Sequence, residues 1–98
     1  MPPYDDACVF CGRNVSVIDD DETDLRRFKC SACTTFEIGG EVEKYIEDNI
    51  VRWKDRLPLL SRAAQRATRE GNGSLVISSI SELIRIAETQ EGWEQSQK

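Results

Sequence analysis

Two periodicities divide the chain. In the first forty residues apolar and polar positions alternate in short runs: Val15-Ser16-Val17, then Arg26-Arg27-Phe28-Lys29, then Thr34-Thr35-Phe36-Glu37-Ile38 with Phe36 and Ile38 on one face. A period of two predicts strands with one buried side. Gly39-Gly40 closes this part and the period changes. Val42, Tyr45, Ile46, Ile50, Trp53 and Leu57 recur at steps of three and four, predicting one amphipathic helix from about Glu41. Its acidic residues lie toward the start and Arg52, Lys54 and Arg56 toward the end, the sense that complements the helix dipole. Pro58 breaks this helix or opens the next. Leu59, Leu60, Ala63, Ala64 and Ala67 then share a second helical face, and Gly71-Asn72-Gly73 stops it. Leu75-Val76-Ile77 is a short strand-like run, and Ser79 with Glu82 marks the capping box of a third helix carrying Ile80, Leu83, Ile84 and Ala87. The expected fold class is α+β: a small ribbon over 1–40, about three helices packed on it over 41–91, and a polar tail over 92–98, together one compact unit. Trp93 is the apolar exception in that tail and is expected to pack back on the helices.

Cysteine changes this picture most. Cys8 and Cys11 form one pair two residues apart, Cys30 and Cys33 repeat it after 18 intervening residues, and the 98-residue chain has no histidine. That spacing fits a four-cysteine zinc site, because a two-residue gap lets both thiolates of a tight turn face one ion. Gly12 follows the first pair and tolerates the left-handed backbone such a turn can require, while Thr34 stands at the equivalent place in the second. Two disulfides suit a reducing compartment poorly, and a redox pair would sit in a βαβ pattern that is absent here. Iron in a rubredoxin-like site would use the same four ligands. Zinc is the expected metal, one structural Zn2+ per chain held by Cys8, Cys11, Cys30 and Cys33. Four protein ligands leave no open position for catalysis.

Charge adds a second division. Residues 1–50 carry five basic and twelve acidic side chains, whereas residues 51–98 carry eight and six. Asp19 to Asp24 is expected to form an exposed loop tip between strands, and it lacks the glycine and distant glutamate of a calcium loop. Arg62, Arg66 and Arg69 line one side of the second helix and are the candidate partner-binding residues. No run of apolar residues is long enough to cross a bilayer, and the opening MPPYDDACVF has no signal-peptide pattern, so a cytoplasmic location without membrane contact is expected.

The order Cys8-x2-Cys11-Gly12, an acidic loop, an aromatic before Cys30-x2-Cys33, and then FEIGGEVEKYI resembles the N-terminal zinc ribbons of bacterial multidomain proteins, several linked to prokaryotic defence. The likeness extends over about residues 8–87, with Thr34 in place of the usual glycine. It implies a zinc-stapled accessory module that contacts nucleic acid or a partner. With no histidine, no phosphate-binding loop and all thiols committed, a non-enzymatic adaptor is expected. Its partner would be another protein, or a second copy through the helices. The alternative is a nucleic-acid-binding regulator using the arginine-rich helix, which a sequence pI near 4.7 opposes through long-range repulsion.

Overall fold

The computed structural model describes residues 3–20, 22–71 and 73–96. Asp21 of the acidic loop, Asn72 of the glycine turn, and Gln97 and Lys98 of the expected tail lie outside the described residues.

The fold is α+β. Strands β1 (Tyr4–Ala7), β2 (Asn14–Asp20), β3 (Leu25–Cys30) and β4 (Thr34–Gly39) follow one another antiparallel, and β5 (Leu75–Ile77) adds to β4 in parallel. Sheet order is therefore β1-β2-β3-β4-β5. Helices α1 (Gly40–Asp48), α2 (Ile50–Trp53) and α3 (Leu57–Arg69) make up the crossover from β4 to β5, as a parallel pair demands, and α4 (Ile80–Ser96) follows.

Register explains the core. Val17 lies opposite Phe28, Phe28 opposite Phe36, and Phe36 opposite Leu75, so one row of apolar residues crosses the sheet on the side facing the helices. Phe10 stacks on Phe36 with ring centroids 4.2 Å apart, and Phe36 on Phe28 at 5.0 Å. Ile38 and Ile77 extend the same face, and Val42, Ile46, Trp53, Leu60, Ala64, Leu83 and Ala87 cover it from the helices. A single buried cluster thus runs from Cys8 to Ala87.

The helices depart from the sequence pattern at Asn49 and at the C-terminal end, while Pro58 opens the second helix, one of the two expected alternatives. The long helix expected from Glu41 is interrupted at Asn49, whose side-chain amide donates to the Tyr45 carbonyl at 2.8 Å. The Asn49 N–H is shared between the Tyr45 and Ile46 carbonyls at 3.1 and 3.2 Å, a tightened last turn that closes α1, and Ile50 is left exposed beyond the break. Pro58 lies in the first turn of α3, where its missing N–H costs nothing. Finally, α4 continues to Ser96 through the segment expected as a tail. Trp93 stays exposed there, with the Arg66 guanidinium 4.8 Å from its ring centre. At the start of α4 the Ser79 hydroxyl accepts from the Glu82 N–H, and the Glu82 carboxylate accepts from the N–H and hydroxyl of Ser78. The capping box forms, displaced by one residue on the carboxylate's side.

Candidate metal centre

Two turns bring the cysteines together. The first joins β1 to β2 and carries Cys8 and Cys11; the second joins β3 to β4, with Cys30 the last residue of β3 and Cys33 just before β4. Because β2 and β3 pair along their length, both turns stand at one end of the sheet. The four sulfurs lie within 4.8 Å of one another, with Cys8 and Cys33 Sγ 3.9 Å apart and Cys11 and Cys30 Sγ 3.5 Å apart. A tetrahedron of sulfurs about 2.3 Å from a central ion has edges of about 3.8 Å. The cluster therefore has the size that one ion needs.

Backbone amides complete the geometry. The Cys33 N–H donates to Cys30 Sγ at 3.3 Å, and the amides of Phe10 and Cys11 face Cys8 in the same manner. In the first turn Gly12 has φ +78°, and its N–H closes the loop on the Cys8 carbonyl at 2.8 Å. Thr34 takes the equivalent left-handed conformation, φ +68°, which a β-branched residue adopts at a cost of about 1–3 kcal/mol. Packing offsets that cost: the Thr34 hydroxyl donates to the Ala64 carbonyl of α3 at 3.1 Å and accepts from Thr68 at 3.1 Å. The residue that departs from the glycine pattern is thus also the one that ties the second turn to α3.

Electrostatics favour a cation once the thiols are deprotonated. Cys8, Cys30 and Cys33 are buried and Cys11 is exposed. Burial pushes the Cys8 thiol up to about 11 and the Cys33 thiol upward too, the latter partly opposed by the Ser61 hydroxyl. At Cys30 burial acts in the same direction, yet the amides of Cys33 and Ala32 together with the Cys11 and Cys33 thiols outweigh it and the thiol is lowered. Four thiolates at this separation repel strongly in a medium of reduced dielectric. A divalent ion would relieve both that repulsion and the desolvation of the buried pair. The residues present accordingly fit a metal ion, and Cys8, Cys11, Cys30 and Cys33 are those that could hold it.

Ser61 had no signal in the sequence. Its hydroxyl donates to Cys33 Sγ at 2.9 Å, and Gln65 donates to Ser61 Oγ at 3.2 Å. Hydrogen bonds to ligand atoms orient them and tune their basicity, and their loss typically weakens metal binding 10–100-fold. Ser61→Ala is expected to lower metal affinity about tenfold, since a neutral donor and a single bond are involved. Competition with a chromophoric chelator measures this, with circular dichroism confirming that the loaded variant keeps the wild-type fold.

The three arginines of α3 are distributed differently from a free basic face. Arg62 Nε pairs with Glu94 at 2.7 Å, Arg66 lies 3.9 Å from Glu70 and against Trp93, and Arg69 is exposed at the helix end. Among the described residues the largest ion-pair group lies elsewhere, around Arg26, which meets Asp6, Asp19 and Glu43. Comparison of the chain with protein-family models, with curated proteins and with solved structures finds no match.

Proposed function

We propose that this chain is a zinc-stapled interaction module that joins other proteins and catalyses no reaction itself. The observation that carries the reading is the closed set of four sulfurs packed beneath α3. Four thiolates in a tetrahedron suit zinc, and they leave no coordination position for water or substrate. One zinc per chain then acts as a structural staple for a sheet whose other side of the core is helical. The resemblance to ribbons of bacterial multidomain proteins supports work in a defence or regulatory system of the cytoplasm, where thiols stay reduced.

A protein partner fits the charge better than nucleic acid. Arg62 and Arg66 have carboxylate neighbours in Glu94 and Glu70, so α3 does not present a row of three unneutralised charges to a phosphate backbone. The overall net charge of −5 opposes nucleic acid as well. Protein purified under reducing conditions without iron excess should contain about one zinc per chain. Charge reversal in Arg66→Glu should weaken capture of the native partner, whereas DNA and RNA should show no appreciable affinity near physiological salt. Tight, salt-dependent nucleic-acid binding lost on replacing Arg62, Arg66 and Arg69 would favour the regulator reading in its place.

A further inference from the structure

Away from the metal, α3, α4 and β5 line a cleft of about 340 Å3. Small residues make the room, since Ala63 and Ala67 occupy the α3 wall. Leu75 and Ile86 supply apolar surface, and Arg66 and Arg85 bring two guanidiniums against the single carboxylate of Glu70. Arg85 is mostly exposed and its ion pair with Glu82 is loose at 4.0 Å. Gln90 also lines the cleft and is 2 % exposed. Its amide nitrogen donates to the Glu94 carboxylate at 2.8 Å, and because a carboxylate only accepts, this fixes which way the amide faces. Oε1 is left buried with no hydrogen-bond partner. A buried acceptor without a donor costs folding free energy and calls for an explanation. Beside it, β5 is the last strand of the sheet among the described residues, so its outer edge has no strand partner there.

These features ask for a ligand with an anionic head, an apolar body and one N–H. Arg66 and Arg85 hold only loose ion pairs, 3.9 Å to Glu70 and 4.0 Å to Glu82, so a monoanion whose oxygens match the guanidinium forks can compete for both. An acidic side chain would bring the carboxylate without an apolar body. A C-terminal residue carries carboxylate, side chain and backbone N–H on one Cα, and the volume, at the small end for binding sites, suits one residue. We infer that the cleft captures the apolar C-terminal residue of a partner polypeptide: carboxylate at Arg85 and Arg66, side chain against Ala67, Leu75 and Ile86, N–H toward Gln90 Oε1. The preceding residues run along the outer edge of β5. This inference rests on the interaction-module reading and names the chemistry of the partner.

Nitrogen-15-labelled, zinc-loaded full chain titrated with N-acetyl-L-leucine provides the test, with N-acetyl-L-leucinamide, free L-leucine and a leucine-terminated hexapeptide as comparisons. With about a dozen non-hydrogen atoms, N-acetyl-leucine should bind with a Kd on the order of 1 mM and shift the Gln90 side-chain amide. The leucinamide should bind at least about tenfold more weakly, and the hexapeptide about tenfold more tightly through the β5 edge. Arg85→Gln should weaken N-acetyl-leucine several-fold, and Ala67→Leu should abolish binding by filling the cleft, both with unchanged spectral dispersion. Absence of a saturable shift at Gln90, or equal binding of acid and amide, overturns the inference. So does tighter binding of free leucine than of the hexapeptide, which would make this a small-metabolite site. Partner capture that persists in Arg85→Gln without any fragment binding removes this inference alone. Fragment binding with no partner captured removes the module reading and leaves a carboxylate site.

Discussion

Stripping the metal with a strong chelator under reducing conditions is expected to unfold the chain in one transition, helices included. Structural zinc in small peptides contributes an apparent 10–16 kcal/mol at about pH 7, a range at or above the total stability of about 5–15 kcal/mol typical of small proteins. The staple is not confined to the ribbon. Ser61 and Thr34 tie the cysteine turns to α3, and the buried cluster that includes Cys8, Cys30 and Cys33 extends to Leu83 and Ala87 of α4. Loss of the sheet would therefore expose the faces of the helices as well. Far-UV circular dichroism and amide dispersion should change together. Persistence of native α3 and α4 signals after the strand signals are lost would show instead that the helices form a separate unit. Acid should act in the same direction as the chelator. In the metal-free, unfolded chain the thiols have the ordinary cysteine pKa of about 8.5, so they are protonated at neutral pH and metal binding must release those protons. Metal affinity therefore falls as pH falls, and the stability it confers falls with it.

Arg26→Met is expected to cost about 2–3 kcal/mol, somewhat below the 3–5 kcal/mol found when a fully buried pair loses one partner. Arg26 lies on the core side of β3, one strand position pair before Phe28, with its guanidinium 5.2 Å from the Phe28 ring centre. It reaches Asp6 of β1 at 2.7 Å, Asp19 of β2 at 3.3 Å and Glu43 of α1, while its Nε donates to the Tyr4 hydroxyl at 3.0 Å. Four elements meet through one side chain. Methionine would keep most of the packing and leave three carboxylates without their counter-charge. Glu43 would suffer most: its side chain is only 16 % exposed, and Oε1 is buried without a hydrogen-bond partner. Urea titration of the zinc-loaded proteins measures the loss, and adding Glu43→Gln should recover about half of it by removing the stranded charge. The sign with pH follows from Glu43, whose carboxyl is raised by burial against the opposing pull of Arg26. Without Arg26 it rises further, so the folded variant gains a proton that the unfolded chain does not hold. The gap between variant and wild type should then narrow as pH falls from neutral toward the carboxyl range. A constant gap, or no recovery in the double variant, would assign the loss to packing alone.

Local chemistry was legible in the sequence and long-range pairing was not. The cysteine spacing identified the four sulfurs that come together, and the turn residues around Leu75-Val76-Ile77 marked a strand only three residues long. Ser79 and Glu82 marked the start of α4 because capping is a matter of neighbouring residues. By contrast, nothing in the spacing of Ser61 points to Cys33, 28 residues earlier, since that contact depends on how α3 lies over the sheet. The same holds for Arg26: alternation places it on the face of Phe28, but its carboxylate partners come from three other elements. Asn49 illustrates a third case. Hydrophobic spacing carries through it without interruption, yet the helix closes there, with the Asn49 N–H shared between the Tyr45 and Ile46 carbonyls and its side-chain amide added on Tyr45.

The parallel pairing of β5 with β4 has a consequence for how the chain reaches this structure. β1 to β4 are neighbours in sequence and can zip together turn by turn, with the cysteine turns drawn close as they do so. Phe36 and Leu75, which face each other across the last ladder, are separated by the whole of α1, α2 and α3. Closing so long a loop carries an entropic penalty before any β5 hydrogen bond forms, and non-local pairings of this kind slow folding. During synthesis from the N-terminus the four cysteines, which could hold a metal ion, are available well before Leu75 emerges. The ribbon can thus serve as the template on which the crossover helices collapse, with β5 and α4 closing the core last.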